Sequence, residues 1–454
     1  MFKYSIHFLV CFLALFSNIS QASDAWPAEP WRNSTILTAL DNDFKNNLSG
    51  AHWNPQSRTL WVSLNGPSKF WAIKEDNHGN FVIDHKNGVR GQMQISGDLE
   101  GITQVDYAKE HVFLIDESDE AIKQYDVSDY SQPTLLQRWD IGVTLPSAFG
   151  SGPEGITFVP DEWLSKQGFV DQGGNAYKSQ YGMGGLMLVA HQNGGHIYAY
   201  DLDPNGARYR LVGKYSSSRN ESSGLEFDRS SGFLFIWHNT DGNRLEVTTL
   251  SSSIVNSERK LDRIKQYYSP KGGNLEGFAL TPANTNEHRV FFVDDDNQDG
   301  AALMLFNEFY PDLVVDDHFS TKQNTELSLR ISDLSQNDYA HAENLILNAP
   351  PVYGRLVDIN TGDKLKASML YIPNQGFTGI DWFTYTTQAK QVATVTIQVK
   401  ELVKENKVIT LFLHQDNRAV IEPSARDVYY AGTQPKPLHQ ARDVVPATRP
   451  TVHF

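Results

Sequence analysis

Cysteine is almost missing from this 454-residue chain; Cys11 is the only one. Positive charge is also short, with 39 Lys and Arg against 54 Asp and Glu, a formal net charge of −15. Nucleic-acid binders need clustered Lys and Arg to neutralise phosphates, so that class of partner is excluded. The balance is compatible with cation binding. Long apolar runs are missing too, apart from one at the N-terminus. No G-x-S-x-G elbow, P-loop, H-E-x-x-H or dinucleotide fingerprint occurs. With 40% hydrophobic and 20% charged residues the composition is that of a globular protein. The 33 Gly, 20 Pro and abundant aromatics lean toward an all-β fold.

The N-terminal run has the pattern of a secretory signal. Met1-Phe2-Lys3 gives a positive start, Tyr4 to Phe16 is apolar, and Ser20-Gln21-Ala22 fits a small-x-small cleavage site. The expected signal peptide is 1–22. The alternative is an N-terminal membrane anchor, for which the run is short. Cleavage after Ala22 leaves a chain without cysteine, and so without disulfides or thiol chemistry in an oxidising compartment. The expected location is secreted or periplasmic, with no transmembrane segment after cleavage.

A repeat organises the chain from Leu48 to Phe306. Leu48-Ser49-Gly50, Leu99-Glu100-Gly101, Pro153-Glu154-Gly155, Ser223-Gly224 and Leu275-Glu276-Gly277 each lead into further apolar strands. The glycines at 50, 101, 155, 224 and 277 are 51, 54, 69 and 53 residues apart. A period near 50 with several short strands predicts a β-propeller with one sheet per blade. Five motifs predict five blades over 23–311, with six possible if one repeat has decayed. The fifth unit lacks an outer strand after Phe306, and Ser34 to Leu40 is expected to supply it. The segment from Asp161 to Met183 is expected to be a loop over one face.

After Tyr310-Pro311 the pattern changes. Residues 312–400 have short strands and Gly turns, ending in the alternating strand Val392 to Val399, as an Ig-like β-sandwich should. The stretch resembles bacterial cadherin-like domains through Asp316-Asp317-x-Phe319 and Pro373-Asn374-x-Gly376-Phe377-x-Gly379-x-Asp381-x-Phe383-x-Tyr385. Residues 401–454 are expected to give one strand packed on this domain, then an extended tail.

The repeated acids carry the main chemical signal. Glu100, Glu154 and Glu276 share one place in three blades, with Ser49 and Ser223 in the other two. Equivalent inner-strand positions surround a propeller's channel, so three carboxylates converge and call for a cation or protons. Oxygen ligands favour Ca²⁺. The structural alternative is that each Glu caps backbone amides of a neighbouring blade. Strand ends on the same rim carry Asp116-Glu117, His191-Gln192, His238-Asn239 and Asp294-Asp295. His191, His238, Glu117 and Asp295 are therefore the catalytic candidates, if there is catalysis. Asp295-x-Asn297-x-Asp299-Gly300 matches half of a calcium loop, but Phe306 stands where the closing Glu belongs, so it reads as a hairpin turn.

Leu99-Glu100-Gly101-Ile102, Phe113-Leu114-Ile115-Asp116-Glu117 and Tyr125-Asp126-Val127 resemble the bacterial SdiA-regulated propeller family. They are more distantly similar to propellers described as phytase-like esterases. The likeness covers roughly 45–310. It implies an exported propeller with calcium in or near the channel, carried here by Glu100, Glu154, Glu276 and Glu117. Two functions fit. One is a calcium-binding module presenting a propeller face to an extracytoplasmic glycan, peptide or ester. The other is a calcium-dependent ester or phosphoester hydrolase with its site on that face. The appended sandwich favours the first, and the lack of clustered cations weakens the second.

Overall fold

In the computed structural model, residues 23–146, 151–240 and 242–402 are described in full. Beyond them it describes only the backbone of Ile409–Leu413, Ala419–Ser424, Asp427–Tyr430 and Thr451–Val452. The expected signal peptide lies outside the described residues, as does most of the expected tail. The last four strands pair with one another.

The chain is all-β, a five-bladed propeller followed by an Ig-like sandwich. The inner strands are Leu48–Asn54, Leu99–Thr103, Pro153–Pro160, Gly224–Phe227 and Leu275–Leu280. Each pairs antiparallel with the next strand of its own blade. The fifth blade is completed by the N-terminus: Thr35 and Ile36 pair with Leu305 and Met304. This closes the ring through the two ends of the domain, as the missing outer strand demanded.

The glycines explain the ring. A Cβ on Gly50 would lie 2.3 Å from the Glu100 carbonyl oxygen, and one on Gly101 would lie 2.6 Å from that of Glu154. Gly155 meets the backbone of Gly224, Gly224 that of Glu276, and Gly277 that of Ser49. The five inner strands thus pack backbone to backbone around the axis, which only glycine permits.

Between blades lie the cores. Trp53, Phe81 and Phe291 pack between the first and fifth blades, and Phe113, Trp139 and Tyr200 between the second and third. The segment after Pro160 is not the surface loop expected. It opens with a helix, Asp161–Lys166, whose Trp163 and Leu164 are buried with Phe169 and Tyr177 between the third and fourth blades. Its polar composition disguised four large apolar side chains that join one buried cluster. The Asn297–Gly300 segment is a turn between Val290–Asp294 and Leu303–Phe306, with Asn297 and Asp299 in the left-handed region.

The sandwich has a four-stranded sheet, in which Asp317–Lys322 runs parallel to Val392–Lys400, and a three-stranded one. Its motif residues hold it together. Asp381 accepts the Val352 and Tyr353 amides at 3.0 Å each and the Tyr371 hydroxyl at 2.8 Å. Tyr385 donates toward Asp317 and Asp338 at 3.1 and 3.0 Å. Tyr339 is fully buried against Phe235 and Phe309 of the propeller and donates to the Thr281 carbonyl at 3.0 Å. That contact docks the sandwich on the ring.

Gly101→Ala should destabilise the fold by roughly 3 kcal/mol, read as a lower denaturant midpoint, because its Cβ meets backbone that cannot move aside. Gly272→Ala, with open space around it and no positive φ, should leave the midpoint unchanged.

Candidate metal centre at the channel mouth

The repeated motif does more than start a strand. In the first, second, third and fifth blades the pairing register slips at the Ser/Glu-Gly step. Glu154 and Gly155 fall between the pairs Pro153–His191 and Ile156–Val189, two residues against one. Glu276 and Gly277 do the same between Leu275–Asp294 and Phe278–Phe292. Such bulges bend a strand and re-aim its side chains. Here they bring the preceding residue of each blade to one mouth of the channel.

Glu100, Glu154 and Glu276 are only 3%, 5% and 7% exposed. Burial pushes the Glu100 carboxyl up to about 7, with the charges of Asp98 and Glu117 adding to the rise and Ser49 opposing it. Burial raises Glu154 well above the usual range, followed by the charges of Glu100, Glu276 and Glu117. Glu276 is raised by burial, then by Asp295 and Glu100. The three repeated acids therefore do act on one another.

They are joined by others. Ligand oxygens of Asp98, Glu100 and Glu117 lie within 4.8 Å of one another. Glu117 accepts the Gly152 amide at 2.7 Å, yet burial still raises its carboxyl. On the fifth blade Asn274 donates to Glu276 Oε1 and Asp295 Oδ2, both at 3.1 Å. Three acceptor oxygens here, Glu276 Oε2, Asp295 Oδ1 and Asn239 Oδ1, are buried with no donor among the described residues. Buried acceptors without donors call for a cation or bound water.

Of the four catalytic candidates, Glu117 and Asp295 belong to this cluster and the two histidines do not. His191 is fully buried beside Tyr198, and its Nδ1 accepts the Asn193 amide at 3.0 Å. Burial pushes it down to about 4, so it is neutral at pH 7. His238 has both nitrogens engaged, Nδ1 with the Glu221 carbonyl at 2.7 Å and Nε2 with Glu246 at 2.8 Å. Burial raises Glu246, but the bonds from His238 and Ser218 outweigh it and hold the carboxyl low. Each histidine closes its strand as Asp116 and Asp294 do, one residue before the place of Glu117 and Asp295, and strand alternation turns that residue into the blade.

Asp98 and Asn274 escaped the sequence reading. The repeat register held their signal, since they stand three residues before Gly101 and Gly277. Their carbonyls accept the amides of Glu117 and Asp295 at 2.9 and 3.0 Å, which fixes them on the same rim.

Residues 310–400 match the bacterial Ig domain family. No curated protein matches the sequence. Solved structures with some likeness include a protein from Lactobacillus plantarum, 14% identical, covering 54% of this chain and 64% of its own, with a TM-score of 0.32. This chain thus spans less than two thirds of that protein. A nidogen/laminin complex is 14% identical, with coverage of 60% and 88% and a TM-score of 0.31. A functionally unknown protein from Desulfotomaculum acetoxidans is 13% identical, with coverage of 57% and 68% and a TM-score of 0.32.

The raised carboxyls set a pH dependence for the metal-free protein. A native carboxyl with a raised pKa keeps a proton that the unfolded chain gives up near 4.5, so the native state binds more protons in between. Stability is then full below the unfolded value and is lost as pH rises through about 7. With chelator present, stability should fall by roughly 1 kcal/mol per pH unit for one such group between pH 5 and about 7, read as a falling melting temperature. Glu100→Gln should flatten the fall only in part, because burial pushes Asp317 of the sandwich up to about 7 as well. A flat profile in the parent protein would contradict the clustering.

Proposed function

We propose that this is an exported, calcium-binding propeller that serves as a ligand-binding or surface-interaction module, with the sandwich as its positioning domain. The observation that carries the reading is the acidic mouth. The largest charges acting on Glu154 there come from carboxyls, and buried oxygens of Glu276 and Asp295 have no donor among the described residues. A hard divalent cation would relieve both conditions at once. An oxygen-only set of Asp98, Glu100, Glu117, Glu154, Glu276 and Asp295 suits Ca²⁺ better than Mg²⁺, whose tight octahedral shell a ring of blades does not readily supply.

Export is supported by the signal-like pattern over 1–22 and by the Ig-like domain, a type common outside the cytoplasm. No helix among the described residues is long and apolar enough to cross a membrane. The resemblance to SdiA-regulated and phytase-like propellers supports the cation. Binding is favoured over ester or phosphoester hydrolysis because His191 is buried beside Tyr198 and His238 is tied to Glu246, both away from the mouth. In addition, none of the largest charges acting on Glu100, Glu154 or Glu276 is a Lys or Arg.

Calcium at a hundredfold excess over Kd should stabilise the native state by about 2.7 kcal/mol, raising the melting temperature by several degrees over the chelated protein. Magnesium should do less. Glu154→Gln should remove most of the calcium effect, and Glu308→Gln on the exposed surface should leave it intact. Identical melting of chelated and calcium-loaded protein at pH 7.5 would refute the cation.

A further inference from the structure

The other end of the channel is built differently. Two residues past each ring glycine stand His52, Thr103, Thr157, Glu226 and Ala279, so only the fourth blade places a carboxylate there. Glu226 Oε2 lies 3.2 Å from His52 Nδ1, although the first and fourth blades are not neighbours in the ring. Arg229, also of the fourth blade, donates to the carbonyls of Gln104 and Val105 in the second, the latter at 2.8 Å. These cross-ring contacts close the channel. The space left at the glycine ring is about 10 Å³, room for about one water.

Outside this closure a pocket of about 360 Å³ opens on the face opposite the acidic mouth. That volume falls within the range of small-molecule sites. Pro55, Leu280 and Pro282 give it apolar walls, while Gln56, Glu226, Arg229 and Asn284 bring polar groups. The charged groups are fixed in advance. Glu226 is 5% exposed and tied to His52. Arg229 lies over the Tyr107 ring at 4.1 Å. Asp228 takes the amides of Ser230, Ser231 and Ala283 at 3.0, 3.1 and 3.2 Å, which joins the pocket's fourth- and fifth-blade walls. Tyr339 of the sandwich anchors the fifth-blade wall from behind through Thr281. His52 Nε2 and Arg229 Nε are buried at this end with no partner among the described residues.

We infer that this pocket is a second ligand site, and that it takes a neutral, hydroxyl-rich molecule of monosaccharide size. Hydroxyls donate and accept at once, which suits a pocket offering a fixed carboxylate acceptor, a guanidinium and two side-chain amides. An anion would face Glu226 and Asp228. A cation would face Arg229, and the Tyr107 ring that could stack on it already carries that guanidinium. A neutral polyol meets neither repulsion, and its C–H face suits the proline and leucine walls. The inference rests on reading the propeller as a binding module, but not on the calcium.

Saturation-transfer NMR on the full chain tests it, with methyl glucoside, methyl galactoside and N-acetylglucosamine as probes and choline and acetate as charged counterparts. Transfer is expected to at least one sugar and to neither charged probe. Glu226→Gln should weaken sugar binding about tenfold, the loss of one hydrogen bond to a charged group. Asn284→Trp, placed at an exposed rim position, should abolish it, and thermal melts show whether each variant folds. If Glu226→Gln does not fold, Asn284→Trp decides. Chelator should leave sugar binding unchanged, because the closed channel separates the two ends. No transfer to any sugar, preference for choline or acetate, transfer that survives Asn284→Trp, or transfer that chelator removes would each overturn the assignment. None of these outcomes alters the calcium melting result, which judges the acidic mouth separately.

Discussion

Five inner strands must share one narrow axis, and the absence of five Cβ atoms lets them. Each ring glycine abuts the backbone of the next blade, in order from Gly50 through Gly101, Gly155, Gly224 and Gly277 back to Ser49 and Gly50. Adding a Cβ at any of them would bring it to 2.3–2.8 Å of a neighbouring backbone atom. The contact is steric and non-negotiable, and the blade cores lie outward of it. Once the glycines are in contact, the blade spacing is fixed. The large apolar residues of neighbouring blades, such as Trp53 against Phe291, then fill the wedge between them.

The same contact creates the acidic mouth. In four blades the strand that presents glycine to the axis and still pairs with its partner bulges there, and the bulge places the preceding residue at the rim. Three glutamates in that position cannot spread apart, because the ring behind them cannot widen. Their repulsion is a consequence of packing, not of local charge density alone. The protein's short supply of Lys and Arg then matters. The cations near this rim are used elsewhere, as Lys123 is with Asp116 at 2.6 Å and Lys271 with Asp294 at 2.8 Å.

Opposite ends of one axis thus have opposite characters. At one, buried carboxyls face each other, and the largest charges acting on Glu154 are those of its fellow acids. At the other, Glu226 with His52 and Arg229 with two carbonyls span the ring and seal it. The sandwich is docked near the sealed end by Tyr339, and beside it Tyr310 stacks on His341 at 3.7 Å. A domain held by a buried aromatic and a hydrogen bond keeps a set position relative to the ring.

The repeat was legible in the sequence because a period near 50 with Glu-Gly steps has few other meanings. Five blades, closure by the residues around Ile36, a following sandwich and the place of Glu100, Glu154 and Glu276 all follow from spacing and residue type. Direction was legible in the register but was missed. His191 and His238 close their strands as Asp116 and Asp294 do, one residue before the places of Glu117 and Asp295, so alternation turns the rings into the blades and the two carboxyls to the mouth. Periodicity gives a residue's place and face; the neighbouring blade decides which partners its side chain finds. Asp98 and Asn274 join the site only because backbone bonds from the next strand hold them at the rim, and Glu226 meets His52 only because the ring closes. Contacts across an axis belong to residues far apart in the chain, so tertiary structure alone decides them.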